Sequence, residues 1–186
     1  MEIKVVVQSR HIHLSQEDQD LLFGENFKLT PLASIGHHGQ VVYQETVGLA
    51  GKKGRFDQIR IIGPIRTETQ AELSEVDLIA AGIEAPVRLS GDSLNAGEGI
   101  LIGPAGQCSI DRIIIPARHL HLSNQQAQDL GLRQHQRVKV REINRPEQII
   151  KEVIVRIHPT FSPEFHLTDH EAANFWLQTG QQIILV

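Results

Sequence analysis

Two short segments of the chain carry paired histidines. The first reads Arg10-His11-Ile12-His13-Leu14-Ser15, and it recurs almost unchanged as Arg118-His119-Leu120-His121-Leu122-Ser123. In an extended segment, residues i and i+2 point the same way, with their Cα atoms roughly 6.6 Å apart. Two imidazoles at that separation can converge on one ion, and neutral imidazole is the most common zinc ligand. The repeated pairs therefore indicate metal binding.

The residues that follow the histidines resemble helix starts. A metal-type side chain, a leucine and a hydroxyl residue occur in this order at four places: His13 to Ser15, Glu72 to Ser74, His121 to Ser123 and His166 to Thr168. In each case an Asp, Glu or Gln follows the hydroxyl residue three positions later, which is typical of a capped helix N-terminus. The glycines expected to end these four helices are Gly24, Gly82, Gly131 and Gly180.

The recurrence supplies enough side chains for two metal ions. A single His-x-His motif is weak evidence, because a histidine near a strand end is more often a surface or hydrogen-bonded residue than a ligand. Here the candidate ligands are five imidazoles and one carboxylate: His11, His13, Glu72, His119, His121 and His166. Three protein ligands per ion leave one coordination position open, which indicates catalysis more than structural support. Helix N-termini gathered nearby would favour an anionic substrate.

Size and composition restrict the class of protein. The chain has 186 residues, enough for one domain or two small ones, and 40% hydrophobic residues suffice for a buried core. Its net charge of -4 provides no basic field to attract nucleic acid or an acidic membrane, so neither is an expected partner. No segment has the roughly 18 apolar residues of a membrane-spanning helix, and residues 1–7 start a strand without a signal-peptide pattern. We expect a soluble, unprocessed protein.

The single cysteine, Cys108, excludes an intramolecular disulfide and fits a reducing cytoplasm. It lies in a strand-like run and is expected to be a small core residue, not a nucleophile. His37 and His38 fall in a loop and are expected to be exposed to solvent.

Short β-branched segments joined by glycine turns predict a mostly β protein, with small barrels and short capping helices. The apolar runs Ile3 to Val7 and Ile110 to Pro116 lead into the first and second histidine pairs, which indicates an internal pseudo-repeat. Asn95 to Gly99, rich in glycine, is predicted to be a loop.

Taken together, these residues resemble the phosphate propanoyltransferases of the PduL type, a family of phosphotransacylases associated with bacterial microcompartments and their free-standing relatives. The resemblance covers nearly the whole chain. It rests on Ser9 to Ser15, Gly39-Gln40 with Glu45 to Val47, Gly63 to Arg66, Thr69 to Glu72, Arg88 to Asp92, Ala117 to His121, and Phe165-His166.

The resemblance implies two small β-barrel domains with a metal site at their junction. Residues 1–10 and 118–186 would form one barrel, and residues 11–117 the other. Two zinc ions per chain are implied, one held by His11, His13 and Glu72, and the other by His119, His121 and His166. Arg66 would be the catalytic residue that binds phosphate. Gln70, Ser90 and Asp92 are further candidate substrate-binding residues, although Ser90 and Asp92 could instead shape a turn.

The implied reaction is the reversible conversion of a short-chain acyl-CoA, propanoyl-CoA or acetyl-CoA, and phosphate into an acyl phosphate and coenzyme A. We expect direct transfer in a ternary complex. Two alternatives are open: a di-zinc hydrolase of thioesters or phosphoesters, which would use a zinc-bound hydroxide, and a non-catalytic zinc-binding protein.

The resemblance also implies a homodimer, with the shell or cargo enzymes of a microcompartment as a second class of partner. Relatives that reside in microcompartments often carry an extension before the first strand, whereas here Ile3 already begins that strand. A cytoplasmic enzyme is therefore expected, with the microcompartment lumen as the alternative.

Overall fold

The structure is a computed structural model that describes residues 1–35 and 39–186. The expectation for His37 and His38 lies outside the described residues. Within them, none of the helices is long enough and apolar enough to cross a bilayer.

In the described part of the chain, four short helices start where the sequence predicted. They are α1 (Gln16–Phe23), α2 (Glu75–Ala81), α3 (Asn124–Asp129) and α4 (Asp169–Phe175). In each helix the hydroxyl of the preceding residue accepts a hydrogen bond from the backbone N–H three positions on: Ser15 from Asp18, Ser74 from Asp77, Ser123 from Gln126 and Thr168 from Glu171. The side-chain oxygen thus satisfies an N–H group that has no partner inside the helix.

The helix ends agree less well with the prediction. Gly24 and Gly82 are C-caps, as expected, and Gly131 follows the C-cap of α3 with φ of 64°. The prediction that Gly180 ends the last helix was wrong, because α4 stops at Phe175 and Trp176 adopts the left-handed conformation. The backbone N–H of the buried Leu177 then donates to the Ala172 carbonyl. Burial of Leu177 in the core accounts for the early turn.

The described residues also form fourteen strands. They are β1 (Ile3–Gln8), β2 (His11–His13), β3 (Pro31–Ile35), β4 (Gln40–Ala50), β5 (Arg55–Gly63), β6 (Gln70–Glu72), β7 (Val87–Arg88), β8 (Gly97–Ile102), β9 (Gln107–Pro116), β10 (His119–Leu122), β11 (Arg137–Glu142), β12 (Ile149–Ile157), β13 (Glu164–Thr168) and β14 (Gln182–Leu185). The loop predicted for Asn95 to Gly99 was partly wrong, since β8 already begins at Gly97. A Cβ atom at Gly97 would lie 2.5 Å from the Glu84 carbonyl oxygen, so glycine is required by a close backbone approach within a strand.

Backbone contacts divide the chain into two compact units. The first consists of Met1–Ser9 and Ala117–Val186, and the second of Arg10–Pro116. In the first unit, six strands close a barrel in the order β1, β13, β10, β12, β11 and β14. In the second, six strands also close a ring, in the order β4, β5, β2, β6, β9 and β8, with β3 beside β4 and β7 beside β9. The predicted fold class, mostly β with two small barrels and short helices, is confirmed.

The two barrels have the same internal pairing. The corresponding strands are β2 and β10, β4 and β11, β5 and β12, β6 and β13, β8 and β14, and β9 and β1. Each member of a pair has the same parallel or antiparallel neighbours as its counterpart. Strand β1 leads into the first histidine pair, on β2, but completes the barrel that contains the second pair. Strand β9 leads into the second pair, on β10, but completes the barrel that contains the first pair.

Each barrel has a separate apolar core. Inward-pointing side chains such as Ile12, Ile61 and Ile113 fill the second unit. Ile3, Leu120 and Phe165 do the same in the first. Because Ile12 and Leu120 point into these cores, the histidines on either side of them are turned to the opposite face of the strand.

Candidate metal centres and a neighbouring arginine

The first candidate metal group lies on a pair of very short antiparallel strands, β2 and β6. His11 is opposite Glu72, and His13 is opposite Gln70. His11 Nε2 lies 3.5 Å from Glu72 Oε2, and His13 Nε2 lies 3.8 Å from Glu72 Oε1. One ligand atom from each of the three residues falls within 4.8 Å of the others, and all three side chains are buried. The spacing of the sequence motif has thus brought the predicted residues together.

Burial and local charge keep these residues in the protonation states that a metal requires. Burial, with the nearby charges of His11 and Arg66, lowers the pKa of His13 to about 3. His13 is therefore neutral at physiological pH, and because its Nδ1 lies 2.8 Å from the Ile62 carbonyl oxygen, that nitrogen carries the proton. Burial alone would raise the pKa of Glu72, but the charge and hydrogen bond of His11 hold it well below its ordinary value. A neutral imidazole with a free Nε2 lone pair and an ionised carboxylate are both competent ligands.

The second candidate group lies at the corresponding position of the other barrel, on β10 and β13. His119 is opposite His166, and His121 is opposite Glu164. The rings of His119 and His166 are nearly parallel, with centroids 4.9 Å apart, and the His121 ring lies 4.5 Å from that of His166. The three histidines can each place one ligand atom within 4.8 Å of the others. His119 Nδ1 lies 2.9 Å from the Ala117 carbonyl oxygen, which leaves its Nε2 for a metal.

Two buried polar atoms test whether these groups fit a cation. Glu72 Oε1 and His166 Nδ1 are both buried and form no hydrogen bond among the described residues. Leaving a buried polar atom without a hydrogen bond costs roughly 1–3 kcal/mol, and more for a charged group. Both atoms belong to groups with the ligand composition of a zinc site, so a bound divalent ion would satisfy them. The residues present therefore fit the metal that the sequence suggests.

Arg66 lies beside the first group and contacts two uncharged side chains. Its Nη1 donates to Ser90 Oγ at 3.1 Å and to Gln70 Oε1 at 3.4 Å. The same Gln70 oxygen accepts a 2.8 Å hydrogen bond from the Gly91 N–H. Gln70 shares one face of β6 with Glu72, which ties the position of the arginine to that of the carboxylate. Three predicted site residues, Arg66, Gln70 and Ser90, are thus in direct contact.

An open cavity of about 130 Å³ adjoins this arginine. Arg66 and Gln70 line it, together with Glu68 and Arg112. The Arg112 side chain donates to Glu68 at 2.5 Å and also to Ser93. The volume is suited to a small anion, and because Glu68 pairs with Arg112, the net positive charge of the lining is that of Arg66.

Asp92 takes a different position from the other predicted substrate-binding residues. Its carboxylate is half exposed, accepts a hydrogen bond from the Leu94 N–H at 3.0 Å and lies 3.7 Å from Arg88. An Asp side chain bonded two residues further along its own backbone is typical of a turn. The backbone carbonyl of Asp92, by contrast, accepts from Gln70 Nε2 at 3.3 Å.

Two arginines that precede the histidine pairs are engaged in ion pairs. Arg10 contacts Asp77, and Arg118 Nε lies 2.8 Å from Glu171 Oε1. Each acidic residue is the third residue after the helix cap that follows β6 or β13. Each ion pair therefore lies within one barrel, and the two pairs connect corresponding elements.

Sequence reasoning missed Glu164 and Arg112. Glu164 Oε2 lies 3.1 Å from Nε2 of the proposed ligand His166. The signal was available, because Glu164 precedes His166 by two residues, the same spacing as in the histidine pairs. Arg112 could not have been found in this way, since it reaches the cavity from a strand distant in sequence.

Cys108 does not have the properties of a nucleophile. It is partly buried in β9, and burial together with the negative charge of Asp18 raises its pKa to about 12. A thiol with that pKa is almost entirely protonated at neutral pH, and the thiolate is the reactive form.

The chain is similar in sequence to known proteins of one family. A family model described as phosphate propanoyltransferase matches residues 4–178. A phosphate propanoyltransferase of Thermotoga maritima is 38% identical over 186 residues, which is 99% of this chain and 89% of the relative. Those of Sebaldella termitidis and Rhodopseudomonas palustris are 38% and 36% identical, over 93% and 92% of this chain and 82% and 76% of their own lengths. We conclude that the chain belongs to the phosphate propanoyltransferase family, a family of acyltransferase enzymes.

Proposed function

We propose that this phosphate acyltransferase moves a propanoyl or acetyl group reversibly between coenzyme A and phosphate at a centre with two zinc ions. The observation that carries the proposal is the position of Arg66. Its guanidinium is hydrogen-bonded to Gln70 and Ser90, beside the buried His13 and Glu72 and next to an open cavity. An anion-binding group and a metal-ligand group are thereby adjacent in one barrel.

The residues that would hold the ions are the two groups described above. His11, His13 and Glu72 would bind one zinc, and His119, His121 and His166 the other. Zinc bound there would supply Lewis-acid stabilisation of the negative charge that develops on a carbonyl oxygen or a thiolate sulfur. Imidazole and carboxylate ligands also accept cobalt, iron or nickel, so metal analysis must accompany activity measurements.

Arg66 would bind the phosphate. Its planar guanidinium can form two parallel, charge-assisted hydrogen bonds to phosphate oxygens, which fixes the anion in both position and orientation. Gln70 and Ser90 hold the guanidinium in place through hydrogen bonds to uncharged groups. Holding a nucleophile correctly oriented beside its target converts a bimolecular step into an effectively unimolecular one.

We expect direct attack of phosphate on the thioester, without a covalent enzyme intermediate. A phosphate oxygen attacks the thioester carbonyl carbon, a C–O bond forms, the C–S bond breaks, and coenzyme A leaves as the thiolate. Because the phosphate dianion is already a nucleophile at neutral pH, no general base is needed to deprotonate it. The raised pKa of Cys108 argues against an acyl-enzyme formed at that residue.

Gln70, Ser90 and the segment around Asp92 would form the wall of the substrate site. Gln70 contacts Arg66 through Oε1 and the Asp92 carbonyl through Nε2. A substrate that displaced Ser90 from Arg66 would find the guanidinium already aimed into the cavity. For Asp92, the backbone carbonyl is the contributing group, since the carboxylate is engaged in the turn.

The test is thiol release from propanoyl-CoA or acetyl-CoA by purified, metal-analysed protein, with and without phosphate. We expect release that requires phosphate, is accompanied by acyl phosphate formation, and falls at least 100-fold in Arg66→Ala and His119→Ala. Arg55→Ala is the matched control, because Arg55 is an exposed arginine of the same unit, paired with Asp57. Mass spectrometry of the protein during turnover should detect no covalent acyl adduct.

Other outcomes would select the alternatives. Thioester cleavage at the same rate without phosphate would indicate a hydrolase. Bound metal without cleavage or coenzyme A binding would indicate a structural zinc protein.

From the resemblance to the family, we also propose a homodimer and an association with microcompartment shell or cargo enzymes. Sedimentation of the purified protein over a hundredfold concentration range tests the dimer directly. Co-purification with shell proteins, in cells that make them, tests the location in the microcompartment lumen against the cytoplasm.

A further inference from the structure

We propose that Glu164 is a positioning residue of the second metal group: its carboxylate holds His166 with the proton on Nε2, so that Nδ1 is presented to the metal. This inference rests on the proposed function only in requiring that the three histidines bind a metal ion. It concerns which nitrogen of His166 is the ligand, and why.

The hydrogen bonds of His166 support this assignment. Nε2 of His166 lies 3.1 Å from Glu164 Oε2, a distance at which an N–H group donates to a carboxylate oxygen. Nδ1 is buried and forms no hydrogen bond among the described residues. In a neutral imidazole one nitrogen carries the proton and the other offers a lone pair. An acceptor at Nε2 therefore places the proton there and leaves the lone pair on Nδ1.

The strand geometry holds the two side chains on one face. Glu164 and His166 are two residues apart in β13, so they point the same way. Across the strand pair, Glu164 is opposite His121 and His166 is opposite His119. The carboxylate is therefore placed next to the metal group by the same cross-strand register that assembles the histidines. Its side chain is 21% exposed and that of His166 is 11% exposed, so solvent weakens their interaction only in part.

Comparison of the two barrels shows that the carboxylates of the two metal groups occupy different positions. At corresponding positions of β6 and β13, the first barrel has Gln70 and Glu72, whereas the second has Glu164 and His166. Each barrel thus has one carboxylate at these two positions. In the first barrel it is at the second position, Glu72, and in the second barrel it is at the first position, Glu164. In the first group the carboxylate is among the candidate ligands, and in the second it contacts a ligand. A carboxylate that accepts from the outer nitrogen of a metal-bound histidine fixes the ring orientation and raises the basicity of the ligand.

The two groups should therefore respond differently to loss of their carboxylates. Loss of Glu72 removes a ligand, and the first ion should no longer bind. Loss of Glu164 leaves three imidazoles in place, so the second ion should still bind, with an affinity lower by about 10- to 100-fold.

The experiment measures zinc affinity by competition with a chromophoric chelator, in the absence of any substrate. The variants are Glu164→Gln and Glu164→Ala, with His166→Ala to identify which binding step belongs to the second group. Glu147→Gln is the matched control, because Glu147 is an exposed glutamate of the same unit. We expect two zinc ions per chain in all the glutamate variants, and weaker binding at the second step alone in the two Glu164 variants, more so for alanine than for glutamine.

A second measurement reads the ligand atom directly. Long-range ¹H–¹⁵N spectra of the zinc-loaded protein, labelled with ¹⁵N-histidine, identify the protonated nitrogen of His166, whose signals are assigned by their absence from His166→Ala. We expect the proton on Nε2 in the wild type. A proton on Nδ1, or unchanged zinc affinity at both steps in Glu164→Ala, overturns the proposal.

Failure of the proposed function would look different. Zinc binding and the state of His166 are measured without coenzyme A or phosphate, so they can agree with the proposal even if no acyl transfer is found. If the wild type bound no zinc at all, both proposals would be wrong. Circular dichroism of each variant shows whether it is folded. If Glu164→Ala does not fold, the zinc affinity of the isosteric Glu164→Gln provides the test.

Discussion

Arg118 Nε lies 2.8 Å from Glu171 Oε1, in a pair that links the residue before the second histidine pair to the first turn of the helix after His166. The Arg118 and Glu171 side chains are 29% and 19% exposed, and the Arg118 guanidinium also lies 5.5 Å from the Phe175 ring centroid. Partial burial and a charge-assisted hydrogen bond make such a pair stronger than one at the surface. We therefore expect it to contribute measurably to stability.

A double-mutant cycle of Arg118→Ala and Glu171→Gln should give a coupling free energy of about 1 kcal/mol in urea unfolding. Glutamine is used because it preserves the capping box at Thr168 and removes only the charge. The control cycle uses Arg137 and Glu152, a pair in the same barrel whose side chains are 65% and 63% exposed. That cycle should give less than about 0.5 kcal/mol. Equal coupling in the two cycles would show that partial burial adds nothing.

Zinc should stabilise the fold in two separable steps. An ion that binds only the folded state at a thousand times its dissociation constant adds about 4 kcal/mol. Removing zinc with a strong chelator should therefore lower the Tm of the wild type by several degrees, and adding zinc back should restore it. Glu72→Gln and His166→Ala should each retain roughly half of this response, and the double variant should show none. A full response in the double variant would contradict binding at these groups.

Trp176 should destabilise the fold through backbone strain, which substitution by glycine would remove. It follows α4 with φ of 54°, and 73% of it is exposed. A non-glycine residue in the left-handed region is strained by roughly 1–2 kcal/mol, whereas glycine adopts it freely and loses about 0.5–1 kcal/mol through its more flexible unfolded state. Trp176→Gly should raise the free energy of unfolding by about 0.5–1 kcal/mol. The Tm is measured by circular dichroism, because the substitution removes the single tryptophan and with it the tryptophan fluorescence signal.

Trp176→Ala is the matched control for that substitution. Alanine also removes the indole but keeps the Cβ atom that causes the strain, so it should give no gain. If alanine stabilised the protein as much as glycine, removal of the exposed indole would be the cause instead of backbone strain.

The pKa of Cys108 predicts a distinctive dependence on pH. Between about pH 9, the ordinary pKa, and about pH 12, the folded protein keeps a proton on the thiol that the unfolded chain has lost. The unfolded state then binds fewer protons, so this thiol's contribution to stability is unchanged below about pH 9 and falls as the pH rises further.

Alkylation gives the most direct measurement. With one cysteine in the chain, iodoacetamide labelling reports on Cys108 alone. At pH 9 the native protein should react at least about 100-fold more slowly than the urea-unfolded chain, because only the thiolate reacts. Cys108→Ala should keep full acyltransferase activity. Loss of activity in that variant with an intact fold would revive a covalent mechanism.

The parts of this fold that the sequence predicted depend on local chemistry. Ser15, Ser74, Ser123 and Thr168 each cap a helix through a bond to a residue three positions away, so a short sequence window contains the whole interaction. The histidine pairs were equally accessible, because alternation along one strand places both rings on one face.

What could not be predicted depends on residues distant in the chain. The contact between Arg10 and Asp77 spans 67 positions, and Arg112 reaches Glu68 across 44. Nothing in the sequence near Arg10 distinguishes an ion-pair partner from a substrate contact. The end of α4 was misplaced for the same reason, since burial of Leu177, and not a nearby glycine, turns the chain. Glu164 is the exception, because it could have been found by extending the two-residue spacing to His166.

The position of β1 in its barrel has a consequence for synthesis of the protein. Ile3 and Lys4 pair with Ile183 and Gln182, so every other strand of the described residues lies between β1 and its neighbour β14 in the sequence. Its other neighbour, β13, is also made late. Until β13 and β14 have been synthesised, both edges of this apolar strand are open, and exposed edges of this kind invite pairing with other chains. We expect the nascent chain to be most prone to such pairing before β14 joins the barrel.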